Sequence, residues 1–284
     1  MYNLTDYKTI KQLLGQQDFH FSKALGQNFL VNPDICPAMA EQAGITQESG
    51  VLEIGAGIGV LTVELAKRAK KVVTLEIDTR LLPILSRTLA DCPNTEVLNR
   101  DILKTDLPLL VQEQFGELPL YVCANLPYYI TSPVIMALLE SRVPFRAITV
   151  MVQKEAAERI CAPVGSRGAG ALTAAVSYYA EADYLFDVGR DSFMPPPKVD
   201  SAVIRLTVRK TPPVQVADEK YFFRVIQSAF AQRRKTAANS LSAGLGKDKQ
   251  TVLSALEKIG AAPTDRAETF SLEQFALLAQ LLGE

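Results

Sequence analysis

Residues 51–59 read Val-Leu-Glu-Ile-Gly-Ala-Gly-Ile-Gly, a short and mostly apolar run followed by three alternating glycines. A run of this length is typical of a buried strand. Glycines without a Cβ let the backbone turn tightly and approach a ligand closely. Beyond the glycines, Leu61, Leu65 and Ala69 recur at every fourth position, as on one face of a helix. The stretch therefore predicts a strand, a glycine turn and a helix.

The spacing of the glycines indicates which ligand the turn accepts. The dinucleotide fingerprint Gly-x-Gly-x-x-Gly would require glycine at position 60, where this chain has Val60. The observed Gly-x-Gly-x-Gly spacing favours a nucleoside-type cofactor without a pyrophosphate over NAD or FAD. A tight turn that binds no ligand remains open on this motif alone.

Strand and helix patterns alternate on both sides of this turn. Buried-strand patterns occupy Val51–Ile54, Val72–Leu75, Leu120–Cys123 and Ala147–Met151. Helical patterns occupy Val60–Ala69, Thr79–Ala90 and Pro133–Glu140, the last with Ser132 as its expected N-cap and proline at the first helical position. Such alternation predicts an α/β fold with a doubly wound, mostly parallel twisted sheet of the Rossmann-like kind.

The pattern changes near residue 180. Leu185–Val188 and Ala202–Val208 predict two more strands, which we expect to form an antiparallel end of the sheet. A proline-rich linker follows at 211–213, and four helical patterns come after it: Tyr221–Ala231, Thr236–Ala243, Lys249–Ile259 and Leu272–Leu282. We therefore expect a cofactor-binding domain with an N-terminal arm at 1–209 and a small all-α domain at 210–284.

Two acidic residues lie between the predicted strands Val72–Leu75 and Leu120–Cys123. Glu76 lies about 20 positions after the glycines, where a carboxylate can accept hydrogen bonds from both hydroxyls of a ribose. Asp101 lies further along the same connection and could accept a hydrogen bond from an adenine amine. Each acid alone is more often a solvated strand end. Together with the glycine turn, they favour an adenosine-containing ligand.

The turn Asn125-Leu126-Pro127-Tyr128 follows the predicted strand Leu120–Cys123. An adenine amine is a poor nucleophile because its lone pair is delocalised into the ring. Two acceptors, the Asn125 side-chain oxygen and the Leu126 carbonyl, would favour a tetrahedral nitrogen that faces a methyl sulfonium. Tyr128 could stack on a base extracted from its helix. The alternative is that Pro127 only ends a strand and Tyr128 covers the core.

Two further residues have weaker assignments. Phe193, just before three prolines, could sandwich the base from the other side, or it could be a core aromatic that anchors a stiff loop. His20 is the only histidine and lies in the N-terminal arm, where a structural or solvated role is more common. We therefore assign it no part in the chemistry.

The composition excludes several classes of protein. The chain has 284 residues, 48% hydrophobic and 21% charged, which is ordinary for a globular protein. Its four cysteines have no Cys-x-x-Cys spacing, so a zinc site is not expected. The start of the chain has no apolar secretory core, and no apolar run reaches the roughly 20 residues of a membrane helix. We expect a cytoplasmic protein.

Charge is distributed unevenly along the chain. The net charge is −1, but residues 205–249 contain ten Lys/Arg and three Asp/Glu, a local excess of +7. Such asymmetry indicates either a polyanion-binding region or a solvated helical surface.

Taken together, these motifs resemble the KsgA-type family of ribosomal RNA adenine N6-dimethyltransferases, almost from end to end. The similar strings are 23–30 (Lys-Ala-Leu-Gly-Gln-Asn-Phe-Leu), the glycine turn at 53–59, 125–128, 193–203 (Phe-Met-Pro-Pro-Pro-Lys-Val-Asp-Ser-Ala-Val) and 230–236 (Phe-Ala-Gln-Arg-Arg-Lys-Thr). The resemblance implies a class I methyltransferase fold with a C-terminal helical domain, and S-adenosyl-L-methionine as cofactor.

The resemblance also implies roles for residues. The expected cofactor site comprises Asn28, Leu30, Gly55, Gly57, Glu76, Asp101 and Asn125. Gly55 would contact the methionine part, Glu76 the ribose and Asp101 the adenine. Asn125, Leu126, Tyr128 and Phe193 would serve the target base, and Arg233, Arg234 and Lys235 would contact RNA phosphates. The implied substrate is two adjacent adenosines in the 3′-terminal hairpin of 16S rRNA, within a partly assembled small subunit, and we expect a monomer.

Three alternatives remain open on the sequence. An Erm-like enzyme acting on 23S rRNA shares the glycine turn and the Asn-Leu-Pro-Tyr type of motif. A DNA adenine methyltransferase usually has proline or a related residue at the position of Leu126. A non-catalytic assembly factor on the same fold is the third, although intact Glu76, Asp101 and Asn125 argue against it.

Overall fold

The computed structural model describes residues 2–16, 19–22, 25–232 and 234–283. The chain forms two compact units. The first comprises residues 1–157 and 183–208, and the second comprises 158–182 and 209–284. The division at 208/209 lies one residue from the predicted boundary at 209/210, and residues 158–182, which the prediction left in the first domain, group with the C-terminal helices.

The first unit is built on a seven-stranded sheet and a two-stranded sheet. The strands are β1 (Phe29–Leu30), β2 (Gly50–Ile54), β3 (Lys71–Leu75), β4 (Thr95–Leu98), β5 (Leu120–Asn125), β6 (Phe145–Gln153), β7 (Ala180–Val188), β8 (Phe193–Met194) and β9 (Ser201–Val208). The large sheet has the order β4-β3-β2-β5-β6-β9-β7, and β1 pairs with β8. The first five of these strands run parallel, whereas β9 is antiparallel to β6. This confirms the predicted parallel sheet with an antiparallel end.

The strand order reverses between β2 and β5. From β2 the chain proceeds outward through β3 and β4, and it then returns to place β5 and β6 on the other side of β2. In an open α/β sheet, a crevice forms at such a switch point, beyond the carboxyl ends of the strands. All five residues of β2 are buried, as expected for a strand covered on both faces.

The helices of this unit are α1 (Tyr7–Gly15), α2 (Ile35–Gln42), α3 (Val60–Ala66), α4 (Leu82–Thr88), α5 (Leu107–Phe115) and α6 (Thr131–Glu140). A seventh, α7 (Lys154–Ile160), begins in the first unit and ends in the second. Two apolar clusters cover the sheet: one joins α2 and α3 to β2 and β3, and the other packs α1 against α4.

The prediction that Ser132 caps α6 is wrong. The helix begins at Thr131 with Ile130 at the N-cap, and no side chain caps it. The 3₁₀ turn Tyr128–Ile130 leads directly into the helix, so Ser132 lies inside its first turn.

The second unit is helical: α8 (Ala171–Tyr179), α9 (Glu219–Phe230), α10 (Ala237–Leu245), α11 (Lys249–Lys258) and α12 (Leu272–Gly283). The side chains of Asp218, Thr236 and Asp248 cap α9, α10 and α11. The hydroxyls of Tyr178 and Tyr179 both donate to the Glu219 carboxylate, at 3.2 and 2.7 Å. These bonds join α8 to α9 and explain why an internal segment belongs to this unit. Within the described ranges, no helix is both long and apolar enough to cross a membrane.

Candidate active site

A cavity of about 320 Å³ opens at the switch point, at the carboxyl ends of β2, β3 and β5. Its volume lies within the range of roughly 300–1,000 Å³ that is usual for small-ligand sites. The lining includes every residue that the sequence assigned to the cofactor or the target base: Asn28, Leu30, Gly55, Gly57, Glu76, Asp101, Asn125, Leu126, Tyr128 and Phe193. The structure therefore brings these ten residues together around one cavity.

The glycine turn forms the floor of this cavity. Gly55 and Gly57 have φ angles of +78° and +59°, a region that residues with a side chain rarely adopt. A Cβ on Gly57 would lie 3.3 Å from the Phe29 ring, closer than most carbon contacts. The backbone thus passes close to the N-terminal arm and leaves the space above the turn free for a ligand.

Glu76 follows β3 and is held by the glycine turn. Its Oε2 accepts a hydrogen bond from the Gly57 N–H at 2.9 Å, and its Oε1 accepts one from the Asp78 N–H at 2.9 Å. The side chain is 5% exposed, and this burial raises the pKa of the carboxyl, although the two backbone N–H groups oppose the shift. Both oxygens are therefore oriented, and each has a lone pair left for a ligand hydroxyl.

Asp101 lines the cavity together with two exposed apolar side chains. Its Oδ1 accepts a hydrogen bond from the Leu103 N–H at 3.0 Å, which fixes the carboxylate. Ile77 and Leu103 line the same cavity and are 51% and 43% exposed. Apolar side chains beside a carboxylate suit a flat heteroaromatic ring that carries an amine. Ile77 and Leu103 were missed at the sequence level, where each is only an apolar residue beside an acid.

Asn125 ends β5, and the turn after it is fixed by the backbone. The Leu126 N–H donates to the Met151 carbonyl at 3.1 Å, which extends the pairing of β5 with β6. The Asn125 side chain is half-buried and lines the cavity. Among the described residues, none forms a hydrogen bond with its amide group. A half-buried amide without an internal partner is available to a bound molecule.

Two aromatic side chains of the cavity wall, Tyr128 and Phe193, are positioned by contacts with β9 and β1. The Tyr128 hydroxyl lies 2.6 Å from the Ser201 Oγ at the start of β9, and burial raises the pKa of this phenol. Phe193 is buried in β8 and pairs with Leu30 of β1. Phe193 both belongs to an apolar cluster and lines the cavity, so its two predicted roles do not exclude each other.

The N-terminal arm is fastened over the cavity by contacts that sequence reasoning missed. Gln27 Nε2 donates to Asp78 Oδ2 at 2.7 Å. Arg80 forms two hydrogen bonds with the same carboxylate, at 2.8 and 2.6 Å, and these lower the pKa of Asp78. Arg80 also donates to the His20 carbonyl at 3.2 Å. No signal in the sequence joins residues so far apart.

Glu53 lies on β2 and also lines the cavity. It is 1% exposed, and its Oε2 accepts a hydrogen bond from the Thr62 hydroxyl at 2.6 Å. Burial raises the pKa of this carboxyl from 4.5 to about 7, against the opposing effect of the Thr62 hydrogen bond. The protonation state of Glu53 therefore changes near neutral pH.

The predicted RNA-contacting residues belong to the helical unit. Arg234 and Lys235 are exposed in the turn between α9 and α10, and the Lys235 N–H donates to the Gln232 carbonyl at 2.9 Å. Neither side chain forms an ion pair with any described residue. Arg233 lies outside the described residues.

Comparison with known proteins gives a consistent result. Residues 18–283 match the family model described as "Ribosomal RNA adenine dimethylase". The chain is 49% identical to a protein named "Ribosomal RNA small subunit methyltransferase A" from Geobacillus thermodenitrificans, over 96% of this chain and 94% of that protein. It is 48% identical to a protein of the same name from Bacillus cereus (strain B4264), with the same coverage.

Solved structures agree with the sequence matches. A dimethyladenosine transferase from Plasmodium falciparum superposes with a TM-score of 0.72 at 30% identity, over 88% of this chain and 95% of that one. The 23S rRNA methyltransferase ErmE superposes with a TM-score of 0.67 at 31% identity, over 90% of this chain and 100% of that one. Since the family model spans almost the whole chain and relatives near half identity span it too, this protein belongs to the ribosomal RNA adenine dimethylase family.

Proposed function

We propose that this protein uses S-adenosyl-L-methionine to dimethylate the N6 amines of two adjacent adenosines in the 3′-terminal hairpin of 16S rRNA. The proposal rests mainly on one observation. The unpaired amide of Asn125 and the oriented carboxylate of Glu76 line the same cavity. A single ligand can therefore be held by its ribose while its other end lies near an amide that is free to orient an acceptor amine.

The cavity residues fit an adenosyl cofactor. Glu76 would accept hydrogen bonds from the ribose hydroxyls, and Asp101 would accept one from the adenine amine between Ile77 and Leu103. The close approach of the backbone at Gly55 and Gly57 would leave room for the methionine part, which Asn28 and Leu30 would cover from the arm. When bound, the cofactor supplies an electrophilic methyl group on a sulfonium.

The residues after β5 would prepare the adenine for this methyl group. The Asn125 side-chain oxygen and the Leu126 carbonyl would accept hydrogen bonds from the N6 amine and turn its lone pair toward the methyl carbon. Tyr128 would stack on the extracted base, with its ring held by Ser201, and Phe193 would lie on the other side. Stacking of this kind contributes on the order of 1–3 kcal/mol per base.

The helical unit would position the RNA through its charge. Arg234 and Lys235, with Arg233, would contact phosphates without reading sequence. Two observations support this role. Residues 205–249 contain ten basic and only three acidic residues, and Arg234 and Lys235 are exposed. We further propose that the substrate is a partly assembled small subunit in the cytoplasm, and that the enzyme acts as a monomer.

An Erm-like activity on 23S rRNA is the second candidate, because ErmE superposes over its full length. The identity to ErmE is 31%, against 49% to the small-subunit methyltransferase A relative. This difference favours the small subunit as substrate.

The proposal is tested by incubating purified small and large subunits from a strain that lacks the modification with labelled S-adenosyl-L-methionine. We expect N6,N6-dimethyladenosine in the 16S rRNA alone, measured by nucleoside mass analysis. Label in the 23S rRNA would support the second candidate instead, and absence of label in both would refute the proposal.

Asn125→Ala is the matched variant for the same assay. Loss of the amide should reduce methyl transfer by at least about 100-fold, since orienting hydrogen bonds of this type contribute about 3 kcal/mol or more to catalysis. The circular dichroism spectrum and melting temperature should stay close to those of the wild type. Turnover like that of the wild type would remove Asn125 from the mechanism.

A further inference from the structure

Tyr129 is an exposed aromatic side chain on the rim of the cavity. It directly follows Tyr128, lines the same cavity and is 58% exposed, the largest exposed fraction among the large apolar and aromatic side chains described. No described residue forms a hydrogen bond or a ring contact with Tyr129. The ring therefore contributes little to the core, and its place on the cavity rim is not explained by folding.

The N-terminal arm passes close to this ring at Gly26. Gly26 has a φ angle of +60°, and a Cβ built on it would lie 3.4 Å from Cδ1 and 3.5 Å from Cε1 of Tyr129. The same Cβ would lie 3.5 Å from the Cβ of Pro127. The arm backbone thus lies beside one part of Tyr129 while more than half of the side chain stays exposed to solvent. This arrangement leaves an aromatic surface open to whatever enters the cavity.

We propose that Tyr129 is a stacking platform for the nucleotide next to the target adenosine. This inference rests on the proposed function, in which Tyr128 stacks on the target base. Tyr129 directly follows Tyr128 in the chain and lines the same cavity, so the nucleotide next to the target base would enter the site beside the Tyr129 ring. A nucleotide that has lost its stacked neighbour exposes a π-face, and an aromatic side chain can replace that neighbour.

Stacking suits a substrate with two neighbouring target adenosines. Dimethylation removes both N–H groups from N6 but leaves the π-face of the base intact. A site that recognised the neighbouring base through its amine would reject the base after dimethylation. Tyr129 would accept the neighbouring adenosine in either state, so one site could serve both methylation targets.

The first test compares Tyr129→Ala, Tyr129→Phe and wild type in methyl transfer to unmethylated small subunits. We expect Tyr129→Ala to raise the KM for subunits by about 5- to 150-fold, the range found when base-stacking aromatics are replaced by alanine. Its KM for S-adenosyl-L-methionine should not change, and Tyr129→Phe should restore the KM for subunits. Tyr7→Ala is the matched control, because Tyr7 is 52% exposed on α1 and does not line the cavity.

The second test locates the contact on the RNA. A synthetic RNA with the hairpin sequence carries 2-aminopurine at the nucleotide on one side or the other of a target adenosine. Wild type should quench the fluorescence at a neighbouring position through stacking, and Tyr129→Ala should not. An unchanged KM for subunits in Tyr129→Ala would overturn the inference, as would equal quenching by both proteins. Failure of the proposed function would appear differently, as absence of methyl transfer by the wild type itself.

Discussion

At the scale of single residues, Glu53 is the clearest case of a side chain whose chemistry depends on burial. Glu53 lies on β2, which is covered on both faces, and its carboxyl accepts a hydrogen bond from the Thr62 hydroxyl. Among the described residues, no cation forms an ion pair with this carboxyl. Desolvation favours the neutral form, which is why the pKa rises to about 7. Folding therefore takes up a proton at a pH where the unfolded chain has lost it.

This proton uptake makes a prediction about stability. Between pH 4.5 and about 7 the folded protein holds a proton that the unfolded protein has released, so the free energy of unfolding falls as pH rises through this window. Above about 7 both states are ionised and the contribution levels off. The total contribution is about 3 kcal/mol, since one pKa unit corresponds to about 1.4 kcal/mol.

Urea denaturation of wild type and Glu53→Gln from pH 5 to 8 measures the effect. Glutamine can still accept from Thr62 but does not titrate, so the stability of wild type relative to the variant should fall with rising pH. Glu257→Gln, at an exposed position of α11, serves as the control and should follow the wild type. A difference between Glu53→Gln and wild type that does not depend on pH would contradict the shifted pKa.

The residues at the strand ends were predictable, whereas their partners were not. Glu76 and Asn125 each follow a recognisable buried strand, Asp101 follows the partly buried β4, and the carboxyl ends of parallel strands meet at one edge. Ser201 and Asp78 act through contacts that depend on which strands become neighbours and on how far the arm reaches. That information belongs to the tertiary structure and leaves no local pattern.

At the scale of elements, the N-terminal arm is the piece that completes the cavity. The strands β1 and β8 are only two residues long, with Phe29 opposite Met194 and Leu30 opposite Phe193. So short a pair adds few hydrogen bonds, and the Gln27 bond to Asp78 supplies a second attachment near Glu76. The Arg80 bond to the His20 carbonyl adds a third. Together these attachments hold Asn28 and Leu30 at the cavity wall.

Removal of the second attachment should weaken cofactor binding. A hydrogen bond to a charged group contributes about 1.5–3 kcal/mol, so Gln27→Ala should lower the affinity for S-adenosylhomocysteine by about tenfold or more, measured by calorimetry. Limited proteolysis should also cut the arm sooner. Gln47→Ala removes a glutamine amide bond away from the cavity, from Gln47 Nε2 to the neutral Lys67 carbonyl at 2.8 Å, and should leave affinity unchanged. Equal affinities of Gln27→Ala and wild type would show that the arm stays in place without the Gln27 bond.

The four C-terminal helices were predicted correctly, whereas several other elements were not, among them α1, α5, α8 and the pair β1 and β8. The four C-terminal helices match the predicted ranges within a few residues, because each has a strong apolar period and a polar residue before it. The pair β1 and β8 was not recognised, since two residues carry no period. α8 was missed because Ala171–Tyr179 is apolar on most sides and lacks a helical stripe.

At the scale of the whole molecule, the chain divides close to its proline-rich linker and also at a second place that its composition does not mark. The proline-rich linker at 211–213 marked a boundary, but residues 158–182 join the helical unit through the Tyr178 and Tyr179 bonds to Glu219. A discontinuous unit cannot be recognised from a linker, because the segment that completes it comes earlier in the chain. The charge asymmetry, by contrast, was readable, because basic residues without acidic neighbours remain exposed after folding.

That asymmetry leads to a prediction about RNA binding by the full chain. Replacement of Arg234 and Lys235 by glutamate should weaken binding to small subunits. The slope of log affinity against log salt should decrease by about 0.7–0.9 for each phosphate that the variant no longer neutralises. Affinity for S-adenosylhomocysteine should stay the same, because neither residue lines the cavity.

A control with the same change in net charge separates direct phosphate binding from long-range attraction. Lys258→Glu with Arg266→Glu alters two exposed cations elsewhere in the helical unit. If Arg234 and Lys235 bind phosphates, their reversal should change the salt slope more than the control does, since bound phosphates release counterions whereas remote charges only shift the mean potential. Equal slopes for the two double variants would mean that the +7 segment attracts RNA through its summed field and that these two residues bind no phosphate of their own.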